Sequence, residues 1–435
     1  MKICVIGTGY VGLVTGVCLA DLGNNVICVD KDISKIEKLK KGFSPIYEPG
    51  IEELISKNLK EKRLSFTDSI EYGIKKSKII FIAVGTPPDK NGEPDMSAVW
   101  EVAKNIGKYI NSYKIIINKS TVPVGSGNKV AEIIKQNMKK KINFDVISNP
   151  EFLREGSAIY DFMNPDRIVI GSNNRLPSMI IKRLYEPLKR PIIITDLKSA
   201  ELIKYASNSF LATKISFINE IANLCEKVGA NVEDVAKGMG LDSRIGDKFL
   251  KAGIGFGGSC FPKDTLGLFK VALKFGYKFK ILKETINVNI LQRKIFLEKI
   301  NKFYNEKLEN KQFAIWGASF KPNTDDIREA PSIDIIKYLL KKKSKINLYD
   351  PVAIPNIQKL FDKKIKYFTD PYETIKNCDA LIILTEWNEF IQIDLKKVKK
   401  LLKTPVIFDG RNIYDINYMQ KLKFKYISVG RKQIL

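Results

Sequence analysis

Residues 2–12, KICVIGTGYVG, carry the strongest structural signal in this chain. An apolar run, Lys2–Ile6, predicts a β-strand, and three glycines in GxGxxG spacing follow it directly. The next residues, LVTGVCLADLG, have the composition of a helix, and a second apolar run, NVICV, ends at Asp30. Strand, glycine turn, helix, strand and terminal acid together are the fingerprint of a dinucleotide-binding βαβ unit.

The parts of this fingerprint predict the cofactor. The turn lets the backbone approach a pyrophosphate at the N-terminus of the helix, and Asp30 is placed to accept hydrogen bonds from the adenine ribose. A carboxylate there repels a 2′-phosphate, so we expect NAD rather than NADP. The turn residues expected to contact the dinucleotide are Gly7, Gly9, Tyr10, Val11 and Gly12.

Outward from this unit, short apolar runs alternate with helical patterns up to about residue 195 and again in the C-terminal third. This alternation predicts two mostly parallel sheets. The predicted strands are Lys2–Ile6, Val26–Asp30, Ile79–Val84, Lys114–Asn118, Asp145–Ser148, Arg167–Ile170, Ile192–Ile194, Gln312–Trp316, Lys345–Tyr349, Ala380–Leu384 and Val406–Phe408. The second series has only Gly317 in its first turn, so we do not expect a dinucleotide there.

Between the two series, apolar residues recur at helical spacing from Ser199 to Val228, and Gly229 supplies a stop signal. A helix of this length indicates a connector and a subunit interface, although a long core helix is the alternative. The predicted fold class is α/β, with two Rossmann-like doubly wound domains joined by a long central helix.

Composition limits the possible chemistry. The chain contains no histidine and no CxxC pair among its six cysteines, which excludes the usual zinc sites and any Ser-His-Asp or Cys-His machinery. No signal peptide or membrane-length apolar run is evident, so we expect a cytoplasmic protein with no membrane partner and no metal. The formal net charge is +25. The lysines are scattered and no nucleic-acid-binding signature accompanies them, so we expect no nucleic acid.

The segment GFGGSCFPKD, residues 255–264, surrounds Cys260 with glycines and charged residues. The sequence from Phe261 onward resembles a helix start, and a helix N-terminus and the ammonium of Lys263 both favour a thiolate. Cysteine is the most nucleophilic common side chain near neutral pH. We therefore predict that Cys260 is a nucleophile. A buried, inert thiol is the alternative.

These segments resemble the UDP-glucose/GDP-mannose dehydrogenase family nearly from end to end. The matching motifs, in order, are GTGYVG (7–12), VGTP (84–87), STVP (120–123), NPEFLREG (149–156), NPDRIVIG (164–171), KYASNSFLATKISFINE (204–220), GFGGSCFPKD (255–264), FKPNTDDIRE (320–329), YDP (349–351) and FDGRN (408–412). The resemblance implies three domains, which we place at 1–198 for NAD, 199–300 for dimerisation and 301–435 for the uridine diphosphate.

The resemblance also implies a reaction and a homodimer. We expect UDP-glucose to be oxidised to UDP-glucuronate by two hydride transfers to NAD, through a thiohemiacetal and a thioester on a cysteine. GDP-mannose or an N-acetylated UDP-hexosamine is the alternative substrate. A basic nucleic-acid-binding protein with a vestigial Rossmann domain is the alternative from another class, and the cysteine loop and Asp30 argue against it.

The family resemblance assigns roles to individual residues. The residues implied in catalysis are Cys260, Lys204, Asn208, Asp264, Glu151 and Thr121. Lys204 and Asn208 share a helix face and could stabilise an oxyanion, Asp264 and Thr121 would hold a water, and Glu151 would serve as base for thioester hydrolysis. Further residues implied at the cofactor are Lys35, Thr86, Thr121, Glu155, Lys263 and Arg328.

The nucleotide sugar is expected to contact a larger set. Its members are Glu151, Phe152, Leu153, Arg154, Glu155, Lys204, Asn208, Arg244, Phe249, Leu250, Lys251, Ala252, Gly253, Gly257, Lys321 and Arg411. Lysine and arginine suit a diphosphate because of their charge. By resemblance, Arg244 would reach the substrate of the partner subunit.

Overall fold

The computed structural model describes residues 1–90 and 92–435. The chain divides into two compact units. The first comprises Met1–Ser207 with Lys270–Gly276, and the second comprises Asn208–Phe269 with Tyr277–Leu435. Each unit contains one β-sheet, which confirms the α/β fold class with two Rossmann-like parts.

The first unit alternates strands and helices. Its elements are β1 (Lys2–Ile6), α1 (Tyr10–Asp21), β2 (Asn25–Val29), α2 (Ile33–Lys40), α3 (Ile51–Lys60), β3 (Leu64–Thr67), α4 (Ile70–Lys76), β4 (Ile79–Ile82), α5 (Ser97–Tyr109), β5 (Lys114–Asn118), α6 (Ser126–Asn137), β6 (Phe144–Ser148), α7 (Ala158–Met163), β7 (Ile168–Ser172), α8 (Arg175–Tyr185) and β8 (Ile192–Thr195). The strand order is β3-β2-β1-β4-β5-β6-β7-β8.

This sheet is parallel except for the antiparallel pair β6 and β7. The strand order reverses between β1 and β4, and ligands of doubly wound sheets bind at such a switch point, beyond the carboxyl ends of the strands. Strand β4 is buried along its whole length, as expected of a parallel strand with helices on both faces. Two buried apolar clusters form the cores of these faces.

A single helix, α9 (Leu197–Val228), runs from the first unit into the second and is followed by Gly229 with φ of +79°. This confirms the predicted long central helix and its glycine stop. The second unit continues with α10 (Val232–Gly240), α11 (Phe261–Lys274), α12 (Lys280–Phe303), β9 (Gln312–Trp316), α13 (Pro331–Lys341), β10 (Lys345–Tyr349), α14 (Ile354–Phe361), β11 (Lys366–Tyr367), α15 (Pro371–Ile375), β12 (Ala380–Ile383), α16 (Asn388–Ile391), α17 (Leu395–Leu401), β13 (Val406–Asp409), α18 (Ile416–Lys421) and β14 (Lys425–Ile427).

The sheet of the second unit is parallel throughout its described pairs, in the order β11-β10-β9-β12-β13-β14. Apolar clusters cover both of its faces. The sequence did not predict β3, β11 or β14, which are short strands at or next to a sheet edge. Within the described residues, no helix is long and apolar enough to span a membrane.

Candidate active site

The glycine turn of the first unit has the geometry that a dinucleotide requires. A Cβ atom on Gly12 would overlap the carbonyl oxygen of Gly7, so α1 packs against the turn only because residue 12 is glycine. A Cβ on Gly9, by contrast, would meet no atom within 4 Å. The space beside Gly9 is therefore open, and the N–H groups at the start of a helix are the donors that bind a pyrophosphate.

Asp30 lies directly after β2, as predicted for a ribose-binding acid. Its carboxylate accepts hydrogen bonds from the Thr8 N–H (2.8 Å), the Thr8 hydroxyl (2.7 Å) and the Asp32 N–H (3.0 Å). Burial opposes ionisation, but these hydrogen bonds and the charge of Lys35 outweigh it and lower the pKa of Asp30. Asp30 is therefore a half-buried carboxylate near neutral pH, which suits two ribose hydroxyls and disfavours a phosphate.

The loop after β4 and the loop after β5 contact each other through the two threonines predicted for the site. The hydroxyl of Thr86 donates to the carbonyl oxygen of Thr121 at 2.9 Å, and both residues are buried. Ser120 adds a second link, since its hydroxyl donates to the carbonyl oxygen of Val84 at 2.6 Å. The motifs VGTP and STVP thus form one structure beyond the carboxyl ends of two neighbouring strands.

Glu151 and Lys204 form a buried ion pair. The Lys204 Nζ lies 3.0 Å from Oε1 of Glu151, and both side chains are about 5% exposed or less. Burial would raise the pKa of Glu151, but Lys204, the Leu153 N–H at 2.7 Å and the charge of Lys119 together lower it. The carboxylate is therefore ionised at neutral pH and able to accept a proton.

Lys119 is a part of this environment that the sequence analysis missed. Its buried ammonium donates to Oδ1 of Asn149 at 3.2 Å, and the Tyr185 hydroxyl donates to the same oxygen at 2.6 Å. Burial and the charge of Lys204 lower the pKa of Lys119 to about 8, against the opposing effect of Glu151. A lysine directly after an entirely buried strand was the available signal.

The remaining residues of NPEFLREG lie on the same loop. The ring of Phe152 contacts the Arg167 guanidinium, 3.6 Å from its centroid, and lies 5.5 Å from the Lys204 Nζ. Arg154 points to solvent and pairs with Asp161 at 2.6 Å. Leu153 and Glu155 are partly buried.

In the second unit, Cys260 lies immediately before α11, which begins at Phe261 as predicted. It is partly exposed, whereas the other five cysteines are buried. Burial raises the pKa of Cys28 and of Cys378 to about 12, so these thiols stay protonated and inert. Among the six cysteines, Cys260 alone combines access with a helix N-terminus.

Several polar groups contact one another at the first turn of α11, which directly follows Cys260. Asp264 is buried, and its Oδ2 accepts a hydrogen bond from the Asn208 side-chain N–H at 2.6 Å. Its Oδ1 lies 3.2 Å from the Lys263 ammonium. The Asp264 N–H donates to the carbonyl oxygen of Cys260 at 2.8 Å. Asn208 belongs to α9, so the helix contributes Lys204 to the first unit and Asn208 to the second.

The loop that carries Cys260, residues 255–260 (the cysteine loop), requires glycine where it passes residues 318–330. A Cβ on Gly257 would overlap the carbonyl oxygen of Glu329, and the Gly258 N–H donates to the carbonyl oxygen of Arg328 at 2.8 Å. The Arg328 guanidinium forms a two-bond contact with Asp326, at 2.8 and 2.7 Å. The loop is thus held by main-chain contacts that leave no room for a larger residue.

Arg411 joins several of the predicted sugar-binding segments. Its guanidinium donates to the carbonyl oxygens of Leu384 (2.8 Å), Phe320 (3.1 Å) and Gly255 (3.4 Å). Lys321 follows Phe320 directly, so a second cation lies on the same segment. These contacts bring two basic residues and the cysteine loop together within one unit.

The segment of residues 249–253 is adjacent to this arrangement. Phe249 has φ of +65°, an unusual backbone conformation for a bulky residue, and its ring lies 6.0 Å from that of Phe261. Leu250, Ala252 and Gly253 are buried, whereas Lys251 is exposed. Arg244 is separate from this group, because it is largely solvent-exposed and pairs with Asp242 at 2.6 Å.

The glycine turn and the acid that ends β2 in the first unit define a dinucleotide-dependent enzyme of the nicotinamide class. Family models give the same class in more detail. The chain matches the NAD-binding domain of the UDP-glucose/GDP-mannose dehydrogenase family over residues 1–189, its central domain over 198–290 and its UDP-binding domain over 314–416. The chain therefore belongs to this family and is an NAD-dependent enzyme.

Similar proteins cover the whole chain. The UDP-glucose 6-dehydrogenase TuaD of Bacillus subtilis (strain 168) is 52% identical over 433 residues, covering 100% of this chain and 94% of the relative. The structure of a UDP-glucose dehydrogenase from Pyrobaculum islandicum is 35% identical with a TM-score of 0.93, over 99% and 98% of the two chains. A UDP-D-ManNAc dehydrogenase from Pyrococcus horikoshii is 26% identical with a TM-score of 0.87, over 99% of each.

Proposed function

We propose that this protein oxidises the C6 alcohol of UDP-glucose to a carboxylate and thereby produces UDP-glucuronate. The observation that carries the proposal is the position of Cys260, partly exposed at the start of α11 with Asp264 and Lys263 in the following turn. The choice of sugar is supported by the two UDP-glucose dehydrogenases to which the chain is 52% and 35% identical.

The residues of the first unit fit NAD. The open space before α1 suits a pyrophosphate, and the Asp30 carboxylate suits an unmodified adenine ribose. Bound NAD⁺ supplies a hydride acceptor, and two equivalents are needed per sugar. We assign Lys35, Thr86, Thr121, Glu155, Lys263 and Arg328 to the cofactor on the family resemblance.

In the first oxidation the C6 alcohol loses a hydride and its hydroxyl proton and becomes an aldehyde. Because the chain contains no histidine, we propose that the proton leaves through water, and we assign Asp264 and Thr121 to that water on the family resemblance alone. The Lys204 ammonium and the Asn208 amide stabilise the alkoxide that develops on the oxygen. Asp264 positions Asn208, because their hydrogen bond of 2.6 Å fixes the amide.

In the second oxidation the Cys260 thiolate adds to the aldehyde carbon, and the oxygen takes up a proton to give a thiohemiacetal. Loss of a second hydride and of that proton leaves a thioester on Cys260. The helix N-terminus of α11 favours the thiolate that begins this step.

Hydrolysis completes the reaction. Water adds to the thioester carbonyl, Glu151 accepts a proton from it, and the C–S bond breaks to release the carboxylate and the thiol of Cys260. The lowered pKa of Glu151 keeps it in the ionised form, which is the form that can act as a base. Overall, four electrons pass to two NAD⁺ and one water is consumed.

We assign the remaining basic residues to the nucleotide sugar. Arg411 contacts the carbonyl oxygens of Gly255 and Phe320, Lys321 follows Phe320 in the chain, and we propose that the two cations bind a diphosphate. The loop of residues 249–253 and Gly257 would line the sugar and nucleotide. We also propose three domains, at 1–198 for NAD, 199–300 for dimerisation and 301–435 for the uridine diphosphate.

We further assign a homodimer. Phe210, Phe217, Leu224 and Val228 on α9 are each at least half exposed in the single chain. The first three are seven residues apart and form a stripe along one helix face, and an apolar stripe of this kind is a typical helix-packing surface. Arg244 is exposed in the same unit and so available to a partner's substrate. We also propose that the protein is cytoplasmic, where NAD is available as cosubstrate.

The sugar is tested by following NADH absorbance with NAD⁺ and a panel of nucleotide sugars. We expect two NADH per UDP-glucose consumed, and little turnover of UDP-N-acetylmannosamine or GDP-mannose. A preference for UDP-N-acetylmannosamine would replace the sugar but keep the enzyme class, in line with the similarity to the Pyrococcus horikoshii protein. Absence of NADH with every sugar would contradict the proposed function.

A further inference from the structure

Glu48 is a buried carboxylate that the proposed reaction does not use. It lies in the segment IYEPG between α2 and α3 and is 5% exposed. A buried carboxylate is costly unless hydrogen bonds replace its hydration. Its partners therefore indicate what the surrounding structure gains from it.

The two oxygens of Glu48 bind separate segments of the first unit. Oε1 accepts hydrogen bonds from the Ala158 N–H at 2.6 Å and, more weakly, from the Ile159 N–H at 3.5 Å, both in the first turn of α7. Oε2 accepts from the Gly156 N–H at 2.7 Å and makes a short hydrogen bond with the Tyr10 hydroxyl.

The contact with Tyr10 connects Glu48 to the dinucleotide turn. Tyr10 is the first residue of α1 and belongs to GTGYVG. Its hydroxyl also accepts the Gly156 N–H at 2.9 Å, so Glu48, Tyr10 and Gly156 form a closed triangle. Burial and Glu48 both raise the pKa of Tyr10, so its hydroxyl stays protonated at any physiological pH and can donate to the carboxylate or to the carbonyl oxygen of Tyr47 at 2.8 Å.

The contact with Gly156 connects Glu48 to the catalytic loop. Gly156 ends the segment NPEFLREG, which carries Glu151 and Glu155, and has φ of +80°. The same carboxylate thus holds the end of this loop, the start of the helix after it and the first turn of α1. Among the hydrogen bonds of the described residues, no other single side chain bonds to all three segments.

We infer that Glu48 is a positioning residue, which aligns Tyr10 at the dinucleotide turn with the loop that carries Glu151. The inference rests on the proposed function for the roles of Tyr10 and Glu151, but not on the role of Cys260. Glu48 itself touches neither the reacting sugar carbon nor the thiol. It acts on NAD affinity through Tyr10 and on thioester hydrolysis through the loop.

The test compares Glu48→Gln with Tyr10→Phe, the double variant and Glu53→Gln as a matched control. Glu53 is an exposed glutamate in the first turn of α3, the helix that follows the segment IYEPG. Glutamine at 48 replaces one acceptor oxygen by an N–H₂ group that opposes the N–H donors around it. The first readout is the Kd for NAD⁺ in the resting protein, by titration calorimetry at 25 °C, far below the measured unfolding temperature of each variant.

We expect Glu48→Gln to raise the Kd for NAD⁺ about tenfold, since a lost contact of this kind corresponds to about 1.4 kcal/mol. Tyr10→Phe should raise it severalfold, and the double variant should bind no more weakly than Glu48→Gln, because both changes break the same contact. The second readout is kcat, where Glu48→Gln should also slow release of the thioester.

A Kd for NAD⁺ in Glu48→Gln equal to that of Glu53→Gln would overturn the inference and leave Glu48 a purely structural residue. If Glu48→Gln does not fold, Tyr10→Phe decides, because it removes only the hydroxyl and leaves the α7 contacts intact. An unchanged Kd in Tyr10→Phe then overturns the inference. Binding of NAD⁺ needs no sugar and no thiol, so this outcome is distinguishable from failure of the Cys260 mechanism.

Discussion

The buried ion pair of Glu151 and Lys204 permits a quantitative prediction for Lys204→Met. At the observed 3.0 Å the attraction is about 5.5 kcal/mol for an effective dielectric constant of about 20. Only part of this attraction appears in the free energy of unfolding. The variant no longer buries the Lys204 ammonium, and the charge of Lys119 still stabilises the Glu151 carboxylate. We expect Lys204→Met to lose about 2–4 kcal/mol at pH 7, near the lower end of the range for breaking a buried pair.

The loss should depend on pH with a definite sign. In the wild type the folded-state pKa of Glu151 is lowered, so its stabilising effect is present above the unfolded pKa and is lost only as pH falls through the folded value. Without Lys204, burial dominates and should raise that pKa, so the ionised form becomes destabilising as pH rises. The difference between wild type and variant should therefore be smaller at pH 5.5 than at pH 7, by up to about 2 kcal/mol.

The free energy of unfolding is measured by urea titration. In a second experiment, hydrogen exchange of peptides from residues 144–207 is measured by mass spectrometry. Lys104→Met is the control, because Lys104 is exposed in the middle of α5 and should change stability by less than about 0.5 kcal/mol. The double variant Lys204→Met/Glu151→Gln should recover only part of the loss, since it removes the unpaired Glu151 carboxylate but leaves the buried Lys119 ammonium without that neighbouring charge. A loss of unfolding free energy below about 1 kcal/mol at both pH values would contradict this prediction, because the pair would then contribute no more than an exposed ion pair.

Two further predictions concern the cofactor and the assembly. The wild type should have a kcat/KM for NAD at least about tenfold higher than that for NADP. Asp30→Ala should bring the two kcat/KM values close together. Similar kcat/KM values for the two cofactors in the wild type would contradict the ribose role of Asp30. Phe217→Asp should shift a dimer toward monomer in sedimentation equilibrium, whereas Lys135→Asp on α6 should not; a wild type that is fully active as a monomer would remove both the dimer and the role of Arg244.

Much of the fold follows from local sequence patterns. β1, β5, β9 and β10 have the predicted bounds because each is a compact apolar run between clear turn or helix signals. The missed strands β3, β11 and β14 have four, two and three residues. Such short strands form because a neighbouring strand is already in place, and periodicity over so few residues has no distinct signature.

The site was predictable only in part. The glycine turn, Asp30 and Cys260 have their signals in adjacent residues, so the sequence predicts their positions at the end of β1, the end of β2 and the start of α11. Glu151 pairs with Lys204 across 53 positions, and a pairing of that separation depends on the folded chain. Family resemblance named both residues, but neither it nor spacing indicated their ion pair, the buried Lys119 or the contacts of Glu48.

The measurement that tests the central claim most directly is intact-protein mass spectrometry of Glu151→Gln and Cys260→Ser during turnover with NAD⁺ and UDP-glucose. With hydrolysis slowed, Glu151→Gln should accumulate a sugar acyl adduct that hydroxylamine removes and that maps to the peptide containing Cys260. Cys260→Ser should bind NAD⁺ normally but lose steady turnover, because no histidine is present to activate the serine. Near-normal turnover by Cys260→Ser, with no adduct on Cys260 in the other variant, would contradict the thiol mechanism.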